Sequence, residues 1–260
     1  QLSRMNLPIK LVCGKNVYDA LTIELQHNNV KNVEVEVRDL DSFKYSKKIQ
    51  ELKRKYPDKF NFYHEIDWAK LDLLNEESKK GADYTYWIDC GLAHRGLWPD
   101  KYSKNPDILT GFSHDRQNYE FDKVFNPQFF NKINEWVGDK LIDIRSIMQY
   151  HPFDVINDLA EESICCDGQT IGGILGGSKN NLDFFIEQFY HYADKCISKD
   201  RVMNHEAIIS VITHKNNDKF KTFKFDTWYH ENTGGMDWIT QEWLDTQVSF
   251  YEFVKEIGHE

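Results

Sequence analysis

An α/β fold, a central sheet with helices on both faces in one domain, is what this sequence predicts, on three observations. Short β-prone runs alternate with stretches of helical apolar spacing through most of the chain. No internal repeat or low-complexity linker divides it. The 260 residues, 40% apolar and 14% aromatic, are enough for a sizeable core and too apolar for a disordered chain.

In order along the chain, Leu7 to Cys13 (LPIKLVC) reads as a buried strand closed by Gly14. Val33 to Val37 (VEVEV) alternates with period two, like a half-exposed strand. A helical pattern lies between them. Ser42 to Tyr56 reads as a helix that stops before Pro57, and Trp68 to Lys80 as a second one ending at Gly81. Tyr84 to Ile88 (YTYWI) is a central strand that runs into Asp89. Residues 100–152, with Pro106, Pro127 and Pro152, read as an irregular insertion of loops and short helices over the sheet. Gln169 to Leu175 follows as a strand with glycines. Leu182, Phe185, Ile186, Phe189, Tyr190, Ala193 and Ile197 then recur at helical spacing. Arg201 to Thr213 is a further helix, Phe220 to Tyr229 a late strand, and Ile239 to Ile257 a closing helix.

Composition narrows the function. Acidic residues number 42 against 32 basic, a net charge of −10, which opposes wholesale binding to nucleic acid or anionic lipid. Any phosphate must then be held by a local site. Five cysteines without a C-x-x-C pair make a zinc ribbon or disulfide framework unexpected and fit a reducing compartment. No apolar stretch approaches the roughly 20 residues that span a bilayer. The opening QLSRMNLPIK is neither a signal peptide nor a start methionine, so the chain reads as an excerpt with an upstream strand or anchor missing.

Four constellations can carry chemistry. In YWIDCGLAHRG, Asp89, Gly91 and His94 follow a strand, and ligands in α/β sheets sit beyond the C-terminal ends of strands. A carboxylate there can hold a hard cation that binds a diphosphate; the plainer alternative is that Asp89 caps the next turn. In IGGILGGSKNN, Gly172, Gly173, Gly176 and Gly177 precede a helix whose N-cap is Ser178 or Asn180. Such a turn presents backbone N–H groups to an anion or lets a sugar lie on bare backbone; the alternative is close helix–strand packing. It has neither a P-loop lysine nor Rossmann spacing. In NHEAI, Asn204, His205 and Glu206 open a helix, where a glutamate is ordinarily a capping or surface residue. In WYHENTGG, His230 ends a strand beside glycines, a metal ligand or an ordinary surface histidine. Asp167, just before the glycine-rich strand, is a reserve carboxylate.

Taken in order, a helical Lys70, YWIDCG, a GGxxGG turn before a helix, an acid in a helix and a late histidine near glycines resemble a glycosyltransferase of the GT-A architecture. The closest resemblance is to the HtrL/YibB family of bacterial glycosyltransferase-like proteins. It runs from about Leu7 to His230 and is most specific in residues 83–92 (DYTYWIDCGL) and 171–177 (IGGILGG). The glycine turn and the following His-Glu also resemble segments of the ABO blood-group transferases. The resemblance implies one GT-A-like domain over residues 1–260 with a mixed, mostly parallel sheet. It implies transfer of a sugar from a nucleotide-diphosphate donor, a UDP-sugar first, to a polysaccharide or lipopolysaccharide acceptor. It also implies Mn²⁺ or Mg²⁺ and a cytoplasmic site at the inner face of a membrane.

Carried over by position, Asp89 and His230 would be metal ligands within reach of one ion. Lys70 would be a donor-side contact, and Glu206 would face the reacting sugar carbon. Gly91, His94, the four glycines and His205 would line the donor and acceptor sites. Two departures stand out. The usual Asp-x-Asp becomes Asp89-Cys90-Gly91, and the acid pair becomes His205-Glu206, so one carboxylate is lost at each place. A catalytically silent carbohydrate- or nucleotide-sugar-binding module of the same fold is the alternative. A nucleotidyltransferase, which needs two close carboxylates for its metals, is a third reading.

Overall fold

The first two strand segments form β1 (Ile9–Cys13), half-buried along its length where a buried strand is expected, and β2 (Val33–Val37), a parallel pair in register from Ile9 opposite Val33 to Cys13 opposite Val37. A parallel pair needs a crossover, and helix α1 (Lys15–His27) supplies it and packs on β2. The ladder is extended at both ends, by Ile9 N–H donating to Asn32 O and Arg38 N–H to Cys13 O, each at 2.9 Å. This is a computed structural model, describing residues 8–27, 29–57, 64–88, 127–146, 153–161, 169–170 and 172–225. Contacts divide the chain into two compact units. The first holds β1, α1, β2 and, apart from its last residue, helix α4 (Pro127–Val137).

The second unit begins at Asp39. In chain order it contains α2 (Ser46–Lys55), α3 (His64–Ser78), β3 (Tyr84–Ile88), β4 (Leu141–Ser146), α5 (Phe153–Ala160), β5 (Gln169–Thr170), β6 (Ile174–Ser178), α6 (Lys179–Ser198), α7 (His205–Lys215) and β7 (Phe220–Phe225). The sheet runs β3-β6-β4, with β5 meeting the end of β4 and β7 pairing along its other edge. The pairings β3·β6, β4·β6 and β4·β5 are antiparallel and only β4·β7 is parallel. The resemblance implies a mixed, mostly parallel sheet; among the described residues this sheet is mixed but mostly antiparallel. The physical reason is the insertion of β6, which runs opposite to β3 and β4, between them.

Burial explains the helices. Helix α6 buries Leu182, Phe185, Ile186, Phe189, Tyr192, Ala193 and Cys196 at steps of three and four, and Ser178 Oγ caps it by accepting from Asn180 N–H at 3.3 Å. Helix α2 buries only Ser46, Ile49 and Leu52, one stripe of a surface helix. Helix α7 is covered all round from Ala207 to Thr213, the pattern of a central helix. The five α-helices described in this unit feed one core with Leu141, Leu175 and Phe220 of the sheet. At its centre Trp68 meets Tyr45 and Phe189 edge-on, with centroids 5.1 and 5.8 Å apart, and its Nε1–H donates to Met203 O at 2.8 Å. Full burial of each such side chain contributes about 1.5–3 kcal/mol.

A polar knot ties the sheet to α7. Asp143 on β4 is fully buried and accepts from Arg145 Nε at 2.5 Å, Thr170 Oγ1 at 2.7 Å and Thr222 Oγ1 at 3.0 Å. Thr170 N–H donates to Ser210 Oγ at 2.9 Å, and Arg145 also reaches Asn217 Oδ1 at 2.8 Å. The Asp and Arg that interrupt LIDIRS are thus partners inside the core. They are why residues 141–146 read as part of an irregular insertion of loops and short helices; residues 127–137 form helix α4, and 141–146 are corrected to the central strand β4. The rest of 100–152, the end of the late strand after Phe225 and the closing helix lie outside the described residues.

Candidate functional site

Three segments of the second unit meet at the N-terminus of α7. Asn204 caps the helix, its Oδ1 accepting Glu206 N–H at 3.0 Å. Glu206 Oε1 in turn accepts Gly172 N–H at 2.8 Å, joining the helix start to the turn between β5 and β6. His205 lies against the same glycine. A side chain carbon on Gly172 would stand 2.0 Å from His205 Nε2, so only glycine fits there without displacing the imidazole.

Helix α3 supplies the other wall. Lys70 is buried at 7% exposure, its Nζ 3.7 Å from Asp67 Oδ1 and 5.9 Å from the centroid of Trp87 on β3. Asp67 Oδ1 is also 3.7 Å from His205 Nδ1, and Asp67 Oδ2 is 3.9 Å from His64 Nδ1. Burial opposes ionisation of Asp67, yet His205, then Lys70 and His64, outweigh it and hold the carboxyl below the usual range. Burial pushes the His64 imidazole below its ordinary value, against the pull of Asp67.

His205 and Glu206 thus meet Gly172, and Lys70 shares Asp67 with His205. Gly173 completes the turn. Gly176 and Gly177 lie inside β6 at φ of +120° and +136°, where an added Cβ would meet Thr85 O at 2.1 Å and Lys140 O at 2.6 Å. Their missing side chains serve close strand approach, the packing alternative for that pair, and the single GGxxGG turn is corrected to one turn and one strand. Asp89, Gly91, His94, Asp167 and His230 lie outside the described residues. So does the expected approach of Asp89 to His230.

His64 and Asp67 were missed by the sequence reading. Their signal is H-x-x-D-x-x-K, in which Asp67 is three residues from both His64 and Lys70 on one helix. It went unread because the helix was taken to start at Trp68, whereas α3 starts at His64.

The described residues hold no group of three or more His, Cys, Asp or Glu side chains able to take a metal ion. No described helix is long and apolar enough to cross a membrane. Compared with family models, curated proteins and solved structures, the chain matches none.

Proposed function

We propose that the chain is a glycosyltransferase of GT-A type that moves a sugar from a nucleotide-diphosphate donor, a UDP-sugar first, to a surface glycan acceptor. The observation that carries this reading is the meeting of His205 and Glu206 with the Gly172 turn, with Lys70 joined to His205 through Asp67. The turn lies at the start of β6, whose Ile174 pairs with Ile88, the residue before Asp89.

The reaction breaks the bond from the sugar's anomeric carbon to the diphosphate oxygen, and the electron pair leaves with the diphosphate. The acceptor hydroxyl oxygen forms the new bond, and its proton passes to a carboxylate. Glu206 is the carboxylate proposed for that step, or for stabilising an oxocarbenium-like centre. Its hydrogen bond to Gly172 N–H fixes its direction. Lys70 and the positive end of α7 favour the charge that grows on the leaving group.

The second reading, a silent binding module, is favoured by the same bond, because a carboxylate that holds a backbone N–H already has a structural task. A thermal-shift panel of UDP-glucose, UDP-galactose and UDP-N-acetylglucosamine, with and without Mn²⁺, tests what both readings share. A stabilising shift by at least one supports them; no shift by any of these donors removes both.

A further inference from the structure

Helix α3 starts at a residue poorly placed to carry a charge. His64 is its first residue, and its Nδ1 is buried without a hydrogen-bond partner, 3.9 Å from Asp67 Oδ2. The charged and titratable groups that face it are Asp67 and Glu65 on α3 itself, Lys53 from α2 and His205 from α7. Both carboxylates are engaged elsewhere. Glu65 pairs with Lys53, and Asp67 Oδ1 lies 3.7 Å from Lys70 Nζ and from His205 Nδ1. A proton on His64 therefore adds a cation beside Lys53 and at the positive end of the α3 dipole. The 14% of its side-chain surface that stays exposed gives that proton a way in. Two residues on, Ile66 is half exposed, whereas Trp68 is 2% exposed and tied to Met203 O. The first turn can thus open while the rest of the helix stays in the core, and helix ends open at far lower free energy than core segments.

We propose that residues 64–67 are an acid-released latch on α7: when His64 takes up a proton the turn opens to water, and Asp67 leaves His205. Burial, the largest influence, holds the closed His64 below its ordinary value of 6.5, so the open turn takes a proton that the closed turn refuses. Opening therefore becomes easier as pH falls below 6.5, and the latch stays shut above it. The effect reaches the Gly172 turn through His205, which faces Asp67 on one side and fills the space beside Gly172 on the other. Once Asp67 has gone, the imidazole is free to move and the turn loses the group packed against it. The latch goes beyond the transferase reading and does not depend on it.

The test is amide hydrogen exchange, followed by NMR and corrected for the pH dependence of the intrinsic rate. The amides of residues 68–71 report on the latch, because in an α-helix they donate to the carbonyls of residues 64–67. Their protection should fall about 3- to 10-fold between about pH 7.5 and about pH 5.5, the range open to one proton taken up on opening. At both values it should stay below that of Phe185 and Phe189 on α6, which marks a local opening. His64→Gln should hold the protection level across this range. Lys53→Met, which frees Glu65 to pair with a charged His64, should shrink the fall. Protection that is independent of pH in the wild-type chain overturns the proposal, as does a fall that survives in His64→Gln. Equal protection of residues 68–71 and of α6 throughout also overturns it, because exchange would then need global unfolding.

Discussion

Glu206 Oε1 accepts the backbone N–H of Gly172 at 2.8 Å, so the first turn of α7 and the turn before β6 form one unit. Removing the acceptor leaves that N–H without this partner. Glu206→Ala should therefore lower stability by about 1–3 kcal/mol, and Glu206→Gln, which keeps an accepting oxygen, by less than about 1 kcal/mol. Urea midpoints of the two variants against the wild-type chain check this; equal losses would mean that the bond contributes nothing.

Gly172 and His205 should be energetically coupled. Gly172 does not have a left-handed backbone, so Gly172→Ala is opposed by the imidazole alone, 2.0 Å from the new carbon. The single variant should cost about 1–3 kcal/mol as overpacking. Adding His205→Ala should recover part of that cost, with a coupling of about 0.5–3 kcal/mol in a double-mutant cycle. Additive losses would place the clash elsewhere.

Stability should fall as the solution is acidified through the histidine range. Burial holds the folded His64 below its ordinary value of 6.5, so below that value the unfolded chain binds a proton that the folded chain refuses. The stabilisation is present above pH 6.5 and is lost as pH drops toward the folded value. His64→Gln should flatten this part of the profile in urea titrations across that range. An unchanged slope would assign the pH dependence to other histidines.

The Asp143–Arg145 pair is buried on both sides, at 0% and 3% side-chain exposure. Losing one partner strands the other in the core. Arg145→Met should destabilise by about 3–5 kcal/mol, the range for breaking a buried pair. Thermal or urea unfolding measures it, and a loss under about 1 kcal/mol would show that water reaches the site on mutation.

What the sequence made legible follows from how local each signal is. The 3.6-residue stripe of α6 and the β-prone run YTYWI are carried by neighbouring apolar residues, and both elements are where the pattern puts them. Strand β4 was lost because Asp143 and Arg145 break its alternation, and their partners Thr170, Asn217 and Thr222 come from distant segments. The direction of β6 depends on which strands flank it, and no local pattern encodes that. At the site, Glu206 looked like a surface or capping acid and does act at a helix start, but its partner is Gly172, 34 positions away. Asp67 carried a readable helical spacing; its meeting with His205 did not, because α3 and α7 come together only through the core around Trp68.

The most direct measurement of the central claim is release of UDP from UDP-glucose, UDP-galactose and UDP-N-acetylglucosamine, with and without Mn²⁺, by the wild-type chain and by Glu206→Gln. Even without the natural acceptor, a transferase hydrolyses its donor slowly with water as the acceptor. The account predicts UDP release from at least one donor, lowered about 10²–10⁴-fold in Glu206→Gln, the cost of losing a positioned general base. Donor binding should be nearly unchanged in the variant. Donor binding without release by the wild-type chain, or equal release by the variant, would contradict it.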